Sequence, residues 1–426
     1  MNRRMDRSRL NVGAYILQPY ARTERHIREI KECGIDFIVC MGDDRPALDL
    51  FAKYGLGAIV SGVVPGWWGG DGENAGLLAE RNPLERYEEA AARFRDHPAV
   101  WGIDVGDEPS ALDFPHYGKI TALTERLFPN QFAYLNLYPN YASVAENTAK
   151  QTVNQLGTAT YDEHVRRYCE NVGLDYLCYD FYMYALTADR NSLTGVNRAY
   201  ENLRVVADAC RSAGRAMWIV LQVNSNRPEE WINTDQLRFQ AYSALAFGAQ
   251  VVTWACYTGG WWHNQVLDGQ GEKTEQYEKL KTVNAELAAI GPAYMKYRNV
   301  STRFIGFTGK YAPEGVKAEP VRELNTGVFF GLRMEDGAPL LAGQMVARDG
   351  GGRQAVFLCG ASDPWGDRKT EGTVIFRTNG AAVRVITPSG EIRPETTDGV
   401  CRFRLPSCGG ALLTAEEIGQ RYDAAV

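Results

Sequence analysis

Three acidic residues lie at or just after the ends of apolar runs, at positions where catalytic side chains are often found. Asp107 and Glu108 are adjacent, come just after the apolar residues 100–105, and precede Pro109. Asp180 lies near the end of a second apolar run. Two carboxyl groups acting on one molecule can serve as general acid and as base or nucleophile, which is the chemistry that cleaves a glycosidic bond. The alternative for Asp107 and Glu108 is an acidic helix N-terminus, which the sequence Asp-Glu-Pro-Ser also favours.

The elements that must position these acids alternate along the chain. Short runs rich in β-branched and aromatic residues predict eight strands, at residues 12–17, 36–41, 57–61, 100–105, 132–137, 176–181, 217–223 and 251–256. Helical patterns lie between them, and glycine often follows, as Gly214 follows residues 198–213. This alternation predicts a (β/α)8 TIM barrel over residues 1–299. The alternative is a doubly wound open sheet, but no GxGxxG turn follows the first strand.

The pattern changes after residue 299. Residues 300–426 contain short apolar runs separated by turn sequences such as Asn379-Gly380 and Asp398-Gly399, with no long helical period. These features predict a C-terminal antiparallel β-sandwich domain. The predicted fold class is therefore α/β, a catalytic barrel at 1–299 followed by a sandwich at 300–426.

Aromatic and amide side chains accompany the acids at the predicted carboxyl ends of the barrel strands. The chain has 9 tryptophans and 22 tyrosines, and paired tryptophans follow both the third and the eighth predicted strand. Aromatic rings offer sugars an apolar stacking surface, while amides and hydroxyls fix the direction of sugar hydroxyls. The candidate substrate-binding residues are Asp107, Trp67, Trp68, Asn136, Tyr138, Tyr182, Gln222, Trp254, Tyr257, Trp261 and His263. For Tyr182 and Trp254 the alternative is a place in the barrel core, and for His263 a structural or surface position.

Four segments together resemble TIM-barrel glycoside hydrolases of the retaining β-glycosidase clan, the cellulase-like and β-galactosidase-like enzymes. They are HPAVWG with GDEP, YDFYMY, WACYTGGWW, and GGALL near Leu412. In that clan an Asn-Glu pair ends strand four and its Glu is the acid/base. The resemblance therefore implies this role for Glu108, with Asp107 in place of the Asn.

The chain departs from that clan at strand seven. The clan's nucleophile is a Glu at the end of strand seven, where this chain has Gln222, and an amide cannot act as a carboxylate nucleophile. Asp180 is then the best second acid, as base or as nucleophile. The alternative for Asp180 is a structural role that holds a neighbouring Arg or Tyr.

Composition narrows the possible partners. A net charge of −6 argues against nucleic acid, whose binding needs a basic face. Five histidines without HExxH spacing, and nine cysteines without a CxxC pair, predict neither a metal site nor another cofactor. No apolar run reaches membrane-spanning length, and no secretory signal is visible at the N-terminus, which suggests a cytoplasmic protein without a membrane partner.

The sequence therefore predicts an enzyme that cleaves the O-glycosidic bond of an oligosaccharide or glycoside, with Glu108 as general acid and Asp180 as base or nucleophile. Two alternatives remain open at this point. One is a non-catalytic carbohydrate-binding barrel protein, and the other is a sugar lyase or isomerase. The oligomeric state is not predicted.

Overall fold

The computed structural model describes residues 5–63, 75–94, 97–142, 155–186, 192–368 and 370–415. The chain divides into two compact units. One consists of Met1–Ile232 with Ala249–Asn284, and the other of Asn233–Gly248 with Ala285–Val426. No helix among the described residues has the length and apolar composition needed to cross a membrane.

The first unit contains a closed barrel of eight parallel strands in chain order. The strands are β1 Asn11–Tyr15, β2 Phe37–Met41, β3 Gly57–Val60, β4 Val100–Asp107, β5 Phe132–Leu137, β6 Tyr176–Phe181, β7 Ala216–Gln222 and β8 Ala249–Ala255. The helices of the described chain are α1 Glu24–Glu32, α2 Arg45–Tyr54, α3 Leu78–Arg81, α4 Leu84–Ala92, α5 Phe114–Leu127, α6 Tyr161–Asn171, α7 Thr194–Ala213, α8 Thr234–Ala246 and α9 Glu275–Tyr294. The predicted barrel is confirmed.

Strand β4 runs two residues past its predicted end at position 105, through Gly106 to Asp107. Its pairing with β5 shifts in register between Asp104 and Gly106. Such a bulge changes which face of the strand each following side chain takes, and bulges are frequent beside active sites.

Large aromatic side chains fill the barrel. The Trp218 ring lies 5.3 Å from that of Phe37, 5.1 Å from that of Tyr134 and 5.3 Å from that of Tyr176. Gly13 makes room for this packing, because a Cβ atom there would lie 2.3 Å from the Phe37 ring. The interior of the barrel is therefore a packed core and not a pore.

Glycine ends the longest helix between barrel strands where the sequence predicts it. Gly214 follows α7 with a φ of 66°, a left-handed conformation that costs an L side chain energy but glycine very little. The chain then turns directly into β7, whose Ala216 pairs with Tyr176 of β6. The return of the chain through α7 lets β6 and β7 run parallel, so that their carboxyl ends lie at the same rim.

The second unit contains two antiparallel sheets, in agreement with the predicted sandwich. Their strands are β9 Tyr297–Ile305, β10 Phe329–Met334, β11 Leu340–Ala347, β12 Gln354–Gly360, β13 Glu371–Thr378, β14 Val383–Thr387, β15 Gly390–Ile392, β16 Glu395–Thr397, β17 Val400–Pro406 and β18 Gly410–Ala415. One sheet has the order β10-β13-β17-β16 and the other β15-β14-β18-β12-β11-β9. Apolar residues of both sheets, among them Phe329, Leu358 and Phe403, form one buried cluster.

Candidate active site

A cavity of about 430 Å³ lies at the carboxyl ends of the barrel strands. Its described wall consists of Tyr15, Asp107, Glu108, Asn136, Tyr141, Asp180, Tyr182 and Trp261. These residues come from the ends of β1, β4, β5 and β6, or from the segments just after β4, β5, β6 and β8. The size is in the range of small-molecule sites. The barrel thus brings the predicted acids Asp107, Glu108 and Asp180 to one cavity, because parallel strands all end at the same rim.

A single amide joins two of the carboxyl groups. The Asn136 Nδ2 atom donates a hydrogen bond to Asp107 Oδ1 at 3.0 Å and another to Asp180 Oδ1 at 2.8 Å. The register produces this arrangement, because Asn136 pairs with Asp107 on one side and with Cys178, two residues before Asp180, on the other. Asn136 and Asp180 are each only 3% exposed.

These carboxyl groups bind protons more tightly than ordinary ones. Desolvation, together with the nearby charge of Asp107, raises the pKa of Asp180 to about 7. Desolvation also raises the pKa of Asp107, although hydrogen bonds from Asn136 and from the Glu108 amide oppose the shift. A carboxyl group that titrates near neutral pH can exchange a proton with a substrate under physiological conditions.

Glu108 lies at the bulged end of β4 in an uncommon backbone conformation. Its φ is 45°, in the left-handed region that a residue other than glycine seldom adopts. Its backbone N–H donates to the Asn136 carbonyl oxygen at 2.9 Å, which holds the turn in place. Two further rim residues, Ile16 after β1 and Cys40 in β2, also have positive φ. Backbone strain of this kind is concentrated at functional sites.

Aromatic rings line one side of the cavity. The Tyr182 ring centre is 4.5 Å from that of Trp262 in an edge-to-face contact and 6.1 Å from that of Trp261. Trp261 is 51% exposed, an unusual state for so large an apolar side chain. The ring therefore offers a free apolar surface beside the carboxyl groups.

Gln222, predicted as a substrate contact, has a different set of partners. Its Oε1 accepts from the backbone N–H groups of Tyr184 at 3.0 Å and Ala185 at 3.2 Å, while its Nε2 donates to the Asn224 carbonyl at 2.8 Å. The side chain is 0% exposed. Gln222 thus ties the segment after β6, which carries Tyr182, to the end of β7.

Other predicted contacts lie away from the described cavity wall. Trp254 is 0% exposed, and its indole N–H donates to Asn284 at 2.9 Å. It therefore lies in the barrel core, which was the alternative position for this residue. Tyr138 and Tyr257 are also buried, and His263 is exposed. Trp67 and Trp68 lie outside the described residues.

Sequence reasoning missed two residues of interest. Tyr141 lines the cavity, and its ring lies 5.3 Å from that of Phe181. Its position three residues after Tyr138 in the segment following β5 was the available signal. Asp104 is a third acid on β4, where Gly106 N–H donates to it at 3.2 Å and the Cys40 thiol at 3.7 Å. Desolvation and the charge of Asp107 raise the pKa of Asp104 to about 8.

Replacing Asp104 with asparagine is expected to stabilise the protein more at pH 8 than at pH 5. The folded protein holds a proton on Asp104 that the unfolded chain, with a pKa near 3.8, releases. The free energy of unfolding therefore falls as pH rises between about 4 and 8, by at most about 1.4 kcal/mol per pH unit for this group. Thermal melts of both proteins from pH 5 to 8 measure the effect. As a control, the exposed variant Asp162→Asn should show the same pH dependence of stability as wild type. Equal pH slopes for wild type and Asp104→Asn would contradict the prediction.

The described residues contain no group of three or more His, Cys, Asp or Glu arranged to hold a metal ion. The carboxyl pair bridged by Asn136 accepts hydrogen bonds from its side-chain amide. The arrangement is therefore suited to proton transfer and to contacts with a polar ligand.

No protein-family model matches the chain, and no curated protein is similar to it in sequence. Its fold is similar to solved structures of glycoside hydrolases. An α-amylase from Anoxybacillus is 10% identical with a TM-score of 0.51, covering 96% of this chain and 98% of that one. An endo-β-1,4-mannanase from Thermotoga petrophila is also 10% identical, with a TM-score of 0.45 and coverage of 94% and 91%. The endoglucanase Cel5A of Pseudomonas stutzeri in complex with cellobiose is 16% identical, with a TM-score of 0.43 and coverage of 66% and 95%. At these identities the likeness is one of fold.

Proposed function

We propose that this protein is a glycoside hydrolase that cleaves an O-glycosidic bond in the cavity at the barrel rim. One observation carries the proposal: three carboxyl groups, an amide and aromatic rings line a single cavity of about 430 Å³. Glycosidic cleavage needs two carboxyl groups on opposite sides of the bond, and a sugar needs polar and stacking contacts around them. The similar fold of solved glycoside hydrolases agrees with this function.

In the proposed mechanism Glu108 protonates the leaving glycosidic oxygen. Asp180 acts as a carboxylate, either activating water or attacking the sugar. Asp107 is the charged neighbour that raises the pKa of Asp180, and its negative charge favours the positive charge that develops on the sugar ring. The aromatic side chains of Tyr182 and Trp261 contact the sugar faces.

We expect the reaction to invert the anomeric centre. Strand β5 separates β4, which Glu108 follows directly, from β6, which carries Asp180. Two strand spacings amount to roughly 10 Å between backbones. Inverting enzymes hold their carboxyl groups about 6.5–9.5 Å apart to admit a water molecule, whereas retaining enzymes need about 5–5.5 Å. NMR of the freshly released sugar identifies its anomer.

The direct test is to incubate the protein with a panel of oligosaccharides and glycosides and to measure new reducing ends. Glycosidase activity predicts their release by wild type and not by Glu108→Gln. A second function is favoured by Gln222, a buried amide at the end of β7, where the retaining β-glycosidase clan that the sequence resembles has its nucleophile Glu. This is a carbohydrate-binding protein without catalysis, and it predicts sugar binding by calorimetry with no product. An unsaturated or isomerised sugar would indicate a lyase or isomerase instead.

Replacing Trp261 with alanine is expected to raise KM about fivefold with little change in kcat. An aromatic stacking contact contributes about 1 kcal/mol, and Trp261 is too exposed for its loss to disturb the core. Steady-state kinetics on the best substrate of the panel measure both constants. Trp261→Phe, which keeps a ring, should recover most of the affinity. A KM unchanged in Trp261→Ala would remove this residue from the sugar site.

A further inference from the structure

The Asn136 side chain has no hydrogen left for a substrate. Its Nδ2 group carries two, and each lies on a carboxylate oxygen, at 3.0 Å from Asp107 and 2.8 Å from Asp180. Its Oδ1 accepts from the Cys178 thiol at 3.4 Å. With 3% exposure, the amide is fully used by the protein itself.

A chain of buried hydroxyl and thiol groups fixes the direction of this amide. The Cys178 thiol has one hydrogen and gives it to Asn136, so the Tyr134 hydroxyl at 3.4 Å must donate to the Cys178 sulfur. The Tyr134 hydrogen is then used, so the Tyr15 hydroxyl at 2.5 Å must donate to the Tyr134 oxygen. Carboxylates only accept, so every hydrogen in the chain points from Tyr15 toward the two acids. The order cannot reverse while both acids are ionised.

We propose that Asn136 is a positioning residue that holds Asp107 and Asp180 side by side as hydrogen-bonded carboxylates, and that it is not a substrate contact. The proposal assigns the Tyr15–Tyr134–Cys178 chain the task of orienting the amide. It rests on the proposed function in one respect only, namely that Asp180 is the reacting carboxylate.

The surroundings of Asp180 explain why such a residue is needed. The titratable groups that face it are Asp107 on β4, Tyr141 after β5, Tyr161 on α6, Cys178 and Tyr179 on β6, and Tyr182 after β6, while Glu108 lies near Tyr141 and Tyr182. Desolvation and the charge of Asp107 both disfavour the ionised form of Asp180. Hydrogen bonds from Asn136 and Tyr182 favour that form and lower its pKa. Without the amide, the buried Asp180 would experience the charge of Asp107 with no donor shared between the two carboxyl groups.

The test is a pH titration of the aspartate carboxyl carbons by NMR, using protein labelled with ¹³C at aspartate. Asp180→Asn and Asp107→Asn assign the two signals. Asn136→Ala is expected to move the Asp180 midpoint upward by about one pH unit or more, because a donor to a charged group is lost. Asn284→Ala removes another buried amide, which contacts the Trp254 indole and the Cys33 carbonyl and no carboxylate, and should leave the midpoint in place. An unchanged midpoint in Asn136→Ala would overturn the proposal.

Asn136→Ser provides a second variant if alanine at this position prevents folding, and the same upward shift is expected.

The orienting role of the Tyr15–Tyr134–Cys178 chain is tested by substitutions at Cys178. Cys178→Ala should shift the midpoint in the same direction as Asn136→Ala but less, and Cys178→Ser, which keeps a donor, should restore it. A shift of equal size in both Cys178 variants would contradict the orienting role of the thiol hydrogen.

Kinetics separate this role from a substrate contact. A positioning residue predicts that Asn136→Ala lowers kcat and moves the acidic limb of its pH profile upward, with KM nearly constant. A substrate contact predicts a higher KM and the same pH profile. The NMR titration needs no turnover, so a shifted midpoint in a protein that cleaves no glycoside would support the positioning role and reject the proposed function. An unshifted Asp180 midpoint in a protein that does cleave glycosides would support the proposed function and reject the positioning role.

Discussion

Replacing Asp180 with asparagine is expected to lower kcat by about 10³-fold or more. The amide has nearly the same shape as the carboxyl group, and its oxygen can still accept the hydrogen bond that Asn136 donates at 2.8 Å. It can neither accept a proton from water nor form a bond to the sugar, so only the reactive property is removed. Loss of a general base or nucleophile typically costs two to four orders of magnitude or more. The measurement is kcat on the best substrate of the oligosaccharide panel.

Two controls accompany the Asp180 variant. Asp162→Asn makes the same chemical change at an exposed position of α6 and should leave kcat unaltered. In Asp180→Ala, which opens space in the cavity, small anions such as azide or formate should restore part of the turnover. An Asp180→Asn enzyme with wild-type kcat would show that another group supplies the base, and the proposed mechanism would then be wrong.

Replacing Glu108 with glutamine is expected to reduce hydrolysis of natural glycosides by about 10²- to 10⁴-fold, the usual contribution of a general acid. The loss should depend on the leaving group. An alkoxide from a natural sugar needs a proton as the bond breaks, whereas a nitrophenolate leaves without one. Kinetics of Glu108→Gln on an oligosaccharide and on the matching nitrophenyl glycoside therefore measure the acid role directly.

The matched control is Glu89→Gln, the same change at an exposed position of α4. It should leave both rates at the wild-type level. If Glu108→Gln loses the same factor on both substrates, Glu108 acts on the sugar in some other way than by protonating the leaving oxygen. Because Glu108 has a φ of 45°, a circular dichroism spectrum and a melting curve should accompany the kinetics, to show that the fold persists.

Some of the site followed from local pattern alone. The apolar run before Asp107 and the run that contains Asp180 indicated strands, and strands alternating with helices indicated a parallel barrel. In a parallel barrel all strands end at one rim, so the acids at those ends had to lie near one another. For the same reason Asn136 and Tyr182, at the ends of neighbouring strands, were recognisable as residues of the rim.

Other features depend on register and packing, which a single sequence does not reveal. In a regular strand Asp104 and Asp107 lie on opposite faces, because side chains alternate with a period of two. The bulge between Asp104 and Gly106 changes that parity and lets Asp107 act on the pKa of Asp104. The hydrophobic pattern of the sequence does not predict such a bulge, because the bulge depends on how β4 pairs with β5.

The sequence by itself determined the barrel, the sandwich and the rim at which carboxyl groups gather, because hydrophobic period and strand ends are local properties. Only the tertiary structure decided what each rim side chain touches. It placed Trp254 in the core, and it paired the Gln222 side chain with backbone N–H groups of the segment after β6. It also committed both hydrogens of Asn136 to two acids. The physical reason is that a hydrogen-bond partner is chosen by distances of about 3 Å between segments far apart in the chain, and folding alone sets those distances.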